Sequence, residues 1–160
     1  MSLMSKTTAP YLAGFVDGEG YLGILKIKKG EKKDWSSANA HYFKPVIKIA
    51  NTDKAIIQWL YDSYGGSFEM RLGKGNSKTS YCWSLKSVYQ LEKFIRAIKP
   101  FLRIKQEQAT ILLEFIKTVN KGLPLKHHTN EKREELYTKI RELNHRDILH
   151  RERLSEPTPI

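Results

Sequence analysis

Residues 42–49, Tyr-Phe-Lys-Pro-Val-Ile-Lys-Ile, alternate in a way that only an extended strand satisfies. Phe43, Ile47 and Ile49 fall on one face, and Lys44 and Lys48 fall on the other. A strand of this kind cannot stand alone. Its apolar face needs a covering layer, its edges need partner strands, and its cationic face is left for solvent or a ligand. The rest of the chain supplies both the partners and the cover.

Thr8-Ala-Pro10 is a helix start, with a Thr cap and Pro in the first turn. Tyr11 to Val16 continues that helix, and the Gly18/Gly20 pair ends it. Residues 21–29 read as a strand whose apolar phase changes near Gly23: Leu22 and Ile24 are even, Leu25 and Ile27 odd. A bulge at the glycine reconciles the two phases and predicts Lys26 and Lys28 on the same face as Lys44 and Lys48. Residues 30–40 form a polar loop. Thr52 or Asp53 caps a second helix carrying Ile56, Ile57, Leu60, Tyr61 and Tyr64, stopped by Gly65-Gly66. Ser67–Leu72 and Ser80–Leu85 read as a hairpin across the turn Gly73–Lys78. A helix capped by Ser87 follows, with Val88, Leu91, Ile95 and Ile98 inward and a break at Pro100. Gln106–Val119 is the next, with Ala109, Leu112, Leu113 and Ile116 inward, and a charged helix starts near Glu131, capped by Thr129 or Asn130. The last residues, with Pro157 and Pro159, should fray. The order α-β-β-α-β-β-α-α predicts an α+β fold, an antiparallel sheet with helices on one face.

Charge indicates what the uncovered face meets. The 160 residues carry a formal net charge of +11. Residues 1–105 hold 18 basic against 8 acidic side chains, so the excess lies on the strand-rich part and not in a basic tail. That distribution points to nucleic acid as the partner. With 40% hydrophobic residues the chain is too apolar for disorder. No apolar run approaches the ~18 residues of a membrane span, and the polar start lacks a secretory core, so no membrane partner is expected. The lone Cys82 excludes an internal disulfide and a cysteine zinc site, which suits an intracellular protein.

Three motif matches lack the structural context they require. Gly18-x-Gly20-x-x-Gly23 has the spacing of a dinucleotide fingerprint, but here the helix precedes the strand. Asp17-Gly-Glu19-Gly would continue as a calcium loop only if a Glu stood where Lys28 is. His145-Arg-Asp147 matches a kinase triplet in a chain far too short for a kinase.

One segment does find its context. Tyr11-Leu-Ala-Gly-Phe-Val-Asp-Gly-Glu-Gly20 resembles the signature of the LAGLIDADG homing endonucleases. Pro100-Phe-Leu-Arg-Ile-Lys-Gln-Glu-Gln-Ala109 is similar to the segment after the core of its single-motif, chloroplast-intron members. The resemblance covers about residues 8–120 of one domain spanning 1–160, with 121–155 a C-terminal helical extension. It implies the αββαββα fold with a saddle-shaped sheet. The implied activity is hydrolysis of both strands of a long pseudo-palindromic double-stranded DNA by a divalent-metal-dependent endonuclease, leaving 3′ overhangs.

The resemblance also implies roles for individual residues. Glu19 binds metal with help from the Gly18 carbonyl, and the ion is Mg²⁺, with Mn²⁺ or Ca²⁺ able to take its place. Lys105 counters charge on the reacting phosphate or activates water, Asn51 positions water, and Lys54 is a peripheral basic residue. Ala13 and Gly14, with Asp17 capping, form a homodimer interface that brings two Glu19 carboxylates together, because only one signature occurs. On alternation, Lys26, Lys28, Tyr42, Lys44, Lys48, Glu69, Arg71, Ser80, Cys82 and Ser84 face DNA. An intron-splicing maturase on the same scaffold, with intron RNA as partner, is the alternative; Glu19 and Lys105 favour the nuclease. The implied location is an organelle (chloroplast or mitochondrion) or the prokaryotic cytoplasm.

Overall fold

The computed structural model describes residues 8–28, 41–119 and 127–155. The predicted loop 30–40 and the last residues lie outside them. Helix α1 spans Thr8–Glu19, strand β1 Gly20–Lys28, β2 His41–Asn51, α2 Lys54–Tyr64, β3 Ser67–Arg71 and β4 Ser80–Leu85. Then come α3 (Val88–Ile98), a 3-10 turn (Lys99–Phe101) that absorbs Pro100, α4 (Gln106–Lys117) and α5 (His127–Ser155). The strands form one antiparallel sheet in the order β1-β2-β4-β3. The sequence expectation of four strands with helices between them is thus met. The differences are the added 3-10 turn and an α5 that begins one turn early.

Local chemistry explains the boundaries. Asp53 rather than Thr52 caps α2, its Oδ1 accepting the Ala55 N–H at 2.8 Å. Ser87 precedes α3 without a side-chain cap, and its carbonyl accepts from Leu91 instead. Gly65 and Gly66 follow α2 with φ of 70° and 90°, the left-handed region open to glycine. A Cβ on Gly66 would also stand 2.4 Å from the Ser84 carbonyl oxygen. The Trp83 indole N–H donates to Gly65 O at 2.7 Å and locks this corner to β4.

Register divides the sheet into two faces. Ile47, Ile49, Trp83, Leu85 and Phe68 share one, and α1, α2, α3 and α4 bury it. Trp83 is fully buried there, clustered with the rings of Tyr64 and Phe94. Helix α5 packs into the same core through Leu136 and Ile140, and its Tyr137 ring lies 5.7 Å from Phe43. Its Arg133 side chain, buried to 7% exposure, donates to Thr118 Oγ1 at 2.9 Å and to Thr118 O at 2.7 Å, closing the end of α4. Burial lowers the pKa of that guanidinium from its ordinary value. No described helix is long and apolar enough to cross a membrane.

Asp17 ties the end of α1 to the start of α4. Its carboxylate is 7% exposed and accepts the backbone N–H groups of Arg103 at 2.7 Å and Lys105 at 3.0 Å. Removing it leaves two enclosed donors without their charged acceptor, so Asp17→Ala should cost about 2–4 kcal/mol. Thermal unfolding should then show a melting point lower by roughly 5–15 °C. A shift under about 2 °C would mean that the tie contributes little.

Candidate functional site

The signature helix α1 has a buried side and a bare side. Leu12, Ala13 and Val16 are fully buried in the core, whereas Tyr11 is 55% exposed and Gly14 and Gly18 lie on the surface. Positions 11, 14, 15 and 18 share one helical face. A Cβ added to Gly14 or Gly18 would meet nothing within 4 Å. Among the described residues, packing therefore requires neither glycine. Together they leave a stripe of backbone open to close approach by another helix.

Glu19 is the last residue of α1 and is exposed. Gly20 starts β1 directly, and it must be glycine, because a Cβ there would stand 2.6 Å from Val16 O. The carboxylate thus sits at the negative end of the helix dipole, an arrangement that favours a cation in front of it. Lys105 closes the same end from inside. Its buried Nζ donates to Val16 O at 3.0 Å and to Asp17 O. Lys105 is therefore brought to the base of Glu19's helix, bonded to the terminal carbonyls.

The register carries this junction to the end of β2. Gly20 lies opposite Ile49, so Glu19 is level with Ala50 and one position short of Asn51. Asn51 is half-buried, and its Oδ1 accepts the Asp53 N–H at 2.8 Å, which fixes the turn into α2. Lys54 is exposed at the first position of α2. Glu19, Asn51 and Lys54 thus gather at one end of the sheet.

The face of the sheet away from the core carries most of the side chains expected on it. Tyr42, Lys44 and Lys48 of β2, Glu69 and Arg71 of β3, and Ser80, Cys82 and Ser84 of β4 share it by register. The Lys44 ammonium lies 5.4 Å from the centre of the Tyr42 ring, and Arg71 pairs with Glu69 at 3.6 Å. Cys82 and Ser84, at 4% and 3% exposure, form the floor of this face beneath longer neighbours. Among the described residues, the Ser84 hydroxyl is the one buried side-chain polar atom without a hydrogen-bond partner.

Three expectations need correction. β1 pairs with β2 from Gly20–Ile49 to Lys28–His41 without a skipped residue, so the bulge at Gly23 is absent. Lys26 and Lys28 consequently share the helix side of the sheet with Leu22 and Ile24. Lys26 bonds to Glu134 of α5 and lies over the rings of Phe43 and Tyr137, so it does not face a ligand on the open side. Ala13 is fully buried in its own chain's core and is not on the bare side of α1. Asp17 caps within its own chain, as described above, and not across a junction between two copies.

The uninterrupted register places Leu25 and Ile27 on the open face, a placement the bulge argument reversed. Gly23 instead makes room for the Tyr21 ring, which occupies the position a Cβ would take. The Tyr21 hydroxyl bonds to Asn144 of α5, and Asn144 donates to Leu22 O at 3.0 Å. Burial raises the pKa of that phenol, partly offset by the Asn144 bond. No pattern around Asn144 marks it in advance, since its role comes from α5 folding back over an edge strand.

Among the described residues no group of three His, Cys, Asp or Glu could hold a metal ion. The end of α1 offers one exposed carboxylate, that of Glu19. Carboxylate and main-chain carbonyl are hard oxygen donors of the kind Mg²⁺ and Ca²⁺ take, so the donor type fits and the number falls short. A second copy presenting its own Glu19 would supply the second carboxylate.

No family model matches the chain. The DNA endonuclease I-CreI of Chlamydomonas reinhardtii is 28% identical over 106 residues, 66% of this chain and 60% of that protein. The chain therefore spans about 60% of the curated relative's length. The homing endonuclease I-CvuI, solved with the I-CreI target in 2 mM Mg and with its DNA not cleaved, is similar in fold at a TM-score of 0.68 and 18% identity, over 86% of this chain and 82% of that one. The I-LtrWI LAGLIDADG homing endonuclease, bound to its target DNA, gives 0.65 and 19% over 87% of this chain, yet only 46% of its own. Strand order and these likenesses agree: the chain has the fold of the LAGLIDADG homing endonucleases and is similar in sequence to one such DNA endonuclease.

Proposed function

We propose that this chain is one half of a site-specific DNA endonuclease, active as a homodimer on a long pseudo-palindromic duplex. The observation that carries the reading is the pairing of exposed Glu19 with the solvent-exposed small-residue stripe Gly14–Gly18 on the same helix. Two such helices packed stripe to stripe across a two-fold axis bring both carboxylates to one junction. The longer I-LtrWI chain has room for two such folds, and this chain for one.

Each part of the chain then has a task. Lys44, Lys48 and Arg71 neutralise backbone phosphates, and Tyr42, Glu69 and Ser80 stand where side chains meet base edges in the major groove. Cys82 and Ser84 line the floor between them. The paired Glu19 side chains, with the Gly18 carbonyl, would hold the divalent ions, Mg²⁺ foremost. When bound, such ions activate water and stabilise charge on the scissile phosphate. Lys105 holds the end of α1 in place and partly offsets the negative end of its dipole, which keeps Glu19 at a defined point. Asn51 has an amide NH₂ to orient water near the scissile phosphate, and Lys54 adds positive charge at its edge. One cut per strand across a minor groove leaves staggered ends with 3′ overhangs.

The test is cleavage of the intron-insertion sequence, the two flanking exon ends rejoined. With Mg²⁺ the duplex should be cut in both strands at one site, and EDTA should stop cutting. End-sequencing should show 3′ overhangs. Failure to cut with any of Mg²⁺, Mn²⁺ or Ca²⁺, together with tight binding of intron RNA, would favour a maturase.

A further inference from the structure

We infer that the open face reads thymine methyl groups through Leu25 and Ile27 of β1. The inference rests on the DNA-cleaving reading above and adds the base chemistry that part of the face recognises. Both side chains are half-buried, and among the described residues neither belongs to the core cluster or packs against it. A strand face turned to water ordinarily carries polar residues, as Lys44 and Lys48 do on the neighbouring strand. Two branched apolar side chains at successive outward positions depart from that pattern.

Their neighbours specify the occupant. Leu25 lies opposite Lys44 and Ile27 opposite Tyr42, and the Lys44 ammonium lies over the Tyr42 ring. Apolar groups flanked by cations match a surface that is anionic at its rims and apolar at points on its floor. The major groove is such a surface, and the C5 methyl of thymine is the apolar group its base edges present. Distance adds a position. An antiparallel strand advances about 3.4 Å per residue, and duplex DNA about 3.4 Å per base pair. Counted outward from Gly20, where the two copies would meet, Leu25 and Ile27 fall about five and seven base pairs from the centre of the target.

The test is selection from a randomised duplex pool by the full chain in Ca²⁺, followed by binding measurements on the recovered sequence. Thymine should be enriched on one strand of each half-site, about five to seven base pairs from the centre of the target. Replacing those thymines with deoxyuridine, which removes only the methyl, should weaken binding about fourfold per methyl. The same replacement at other thymines should change nothing. A chain carrying Leu25→Ser and Ile27→Ser should lose the thymine–deoxyuridine difference, whereas Lys48→Ala should weaken both duplexes equally. Should the double variant fail to fold, the deoxyuridine series on the native chain decides alone. A recovered sequence without that thymine signal, or equal affinity for both duplexes, overturns the inference and leaves the DNA reading standing. Recovery of no sequence above background overturns both.

Discussion

Glu19→Gln should abolish double-strand cleavage, by about a thousandfold or more, while leaving affinity for the target duplex within a few-fold of native. The side chain is exposed at the end of α1 and contributes nothing to the core, so the fold has no reason to change. What is lost is the negative charge that would hold a divalent ion. The same substitution carries a second signature. Two carboxylates about 4 Å apart repel by ~4 kcal/mol at an effective dielectric of 20, and both would sit at negative helix ends. In EDTA, therefore, the Glu19→Gln dimer should melt higher than the native dimer, and added Mg²⁺ should raise the melting point of the native protein only. Retained cleavage, or identical melting with and without metal, would remove Glu19 from the site.

Gly14→Leu should convert the dimer to a monomer and with it remove cleavage. A Cβ at Gly14 meets nothing within 4 Å, so the chain itself tolerates a larger residue. Replacing glycine within a helix also favours that helix by roughly 0.5–1 kcal/mol. A second α1 packed against the stripe would meet four new heavy atoms where backbone contact is required. The expected result is a native circular dichroism spectrum, an unchanged or higher melting point for the isolated chain, and the mass of one copy by light scattering. Because each copy presents one Glu19, the monomer should also fail to cut either strand. A Gly14→Leu protein that remains dimeric would show that α1 is not the contact surface.

The sheet was legible in the sequence because most of its strands have one apolar face. Alternation at 42–49 fixes which side of β2 is buried, and the hairpin Ser67–Leu85 follows the same rule, so Tyr42, Lys44, Lys48, Glu69, Arg71, Ser80, Cys82 and Ser84 share a face as expected. β1 broke the rule because it is apolar on both faces. A bulge was then the cheaper explanation, and it inverted Lys26 with Leu25. The structure keeps the register and spends Gly23 on the Tyr21 ring.

The junction at Glu19 was legible for a different reason. Closely spaced glycines and a terminal acid restrict the backbone enough for the residues to show as a motif. Ala13 illustrates the limit of that reading. Small residues on a helix mark close approach without saying to what, and Ala13 approaches its own core while Gly14 is bare. Contacts made by α5 were the least legible. Lys26 with Glu134, and Asn144 with Leu22, are separated by more than a hundred residues and joined by the fold alone. The exposed Lys26–Glu134 pair should contribute under about 1 kcal/mol, and it is the buried Leu136 and Ile140 that hold α5 in place.

The most direct test of a shared active site is a mixed pair. Native and Glu19→Gln chains with different affinity tags can be produced together and the heterodimer isolated through both tags. If the two carboxylates form one centre, this heterodimer should bind the target duplex with native affinity and make no double-strand break in Mg²⁺. Double-strand cleavage at the native rate by a dimer with only one intact Glu19 would contradict it.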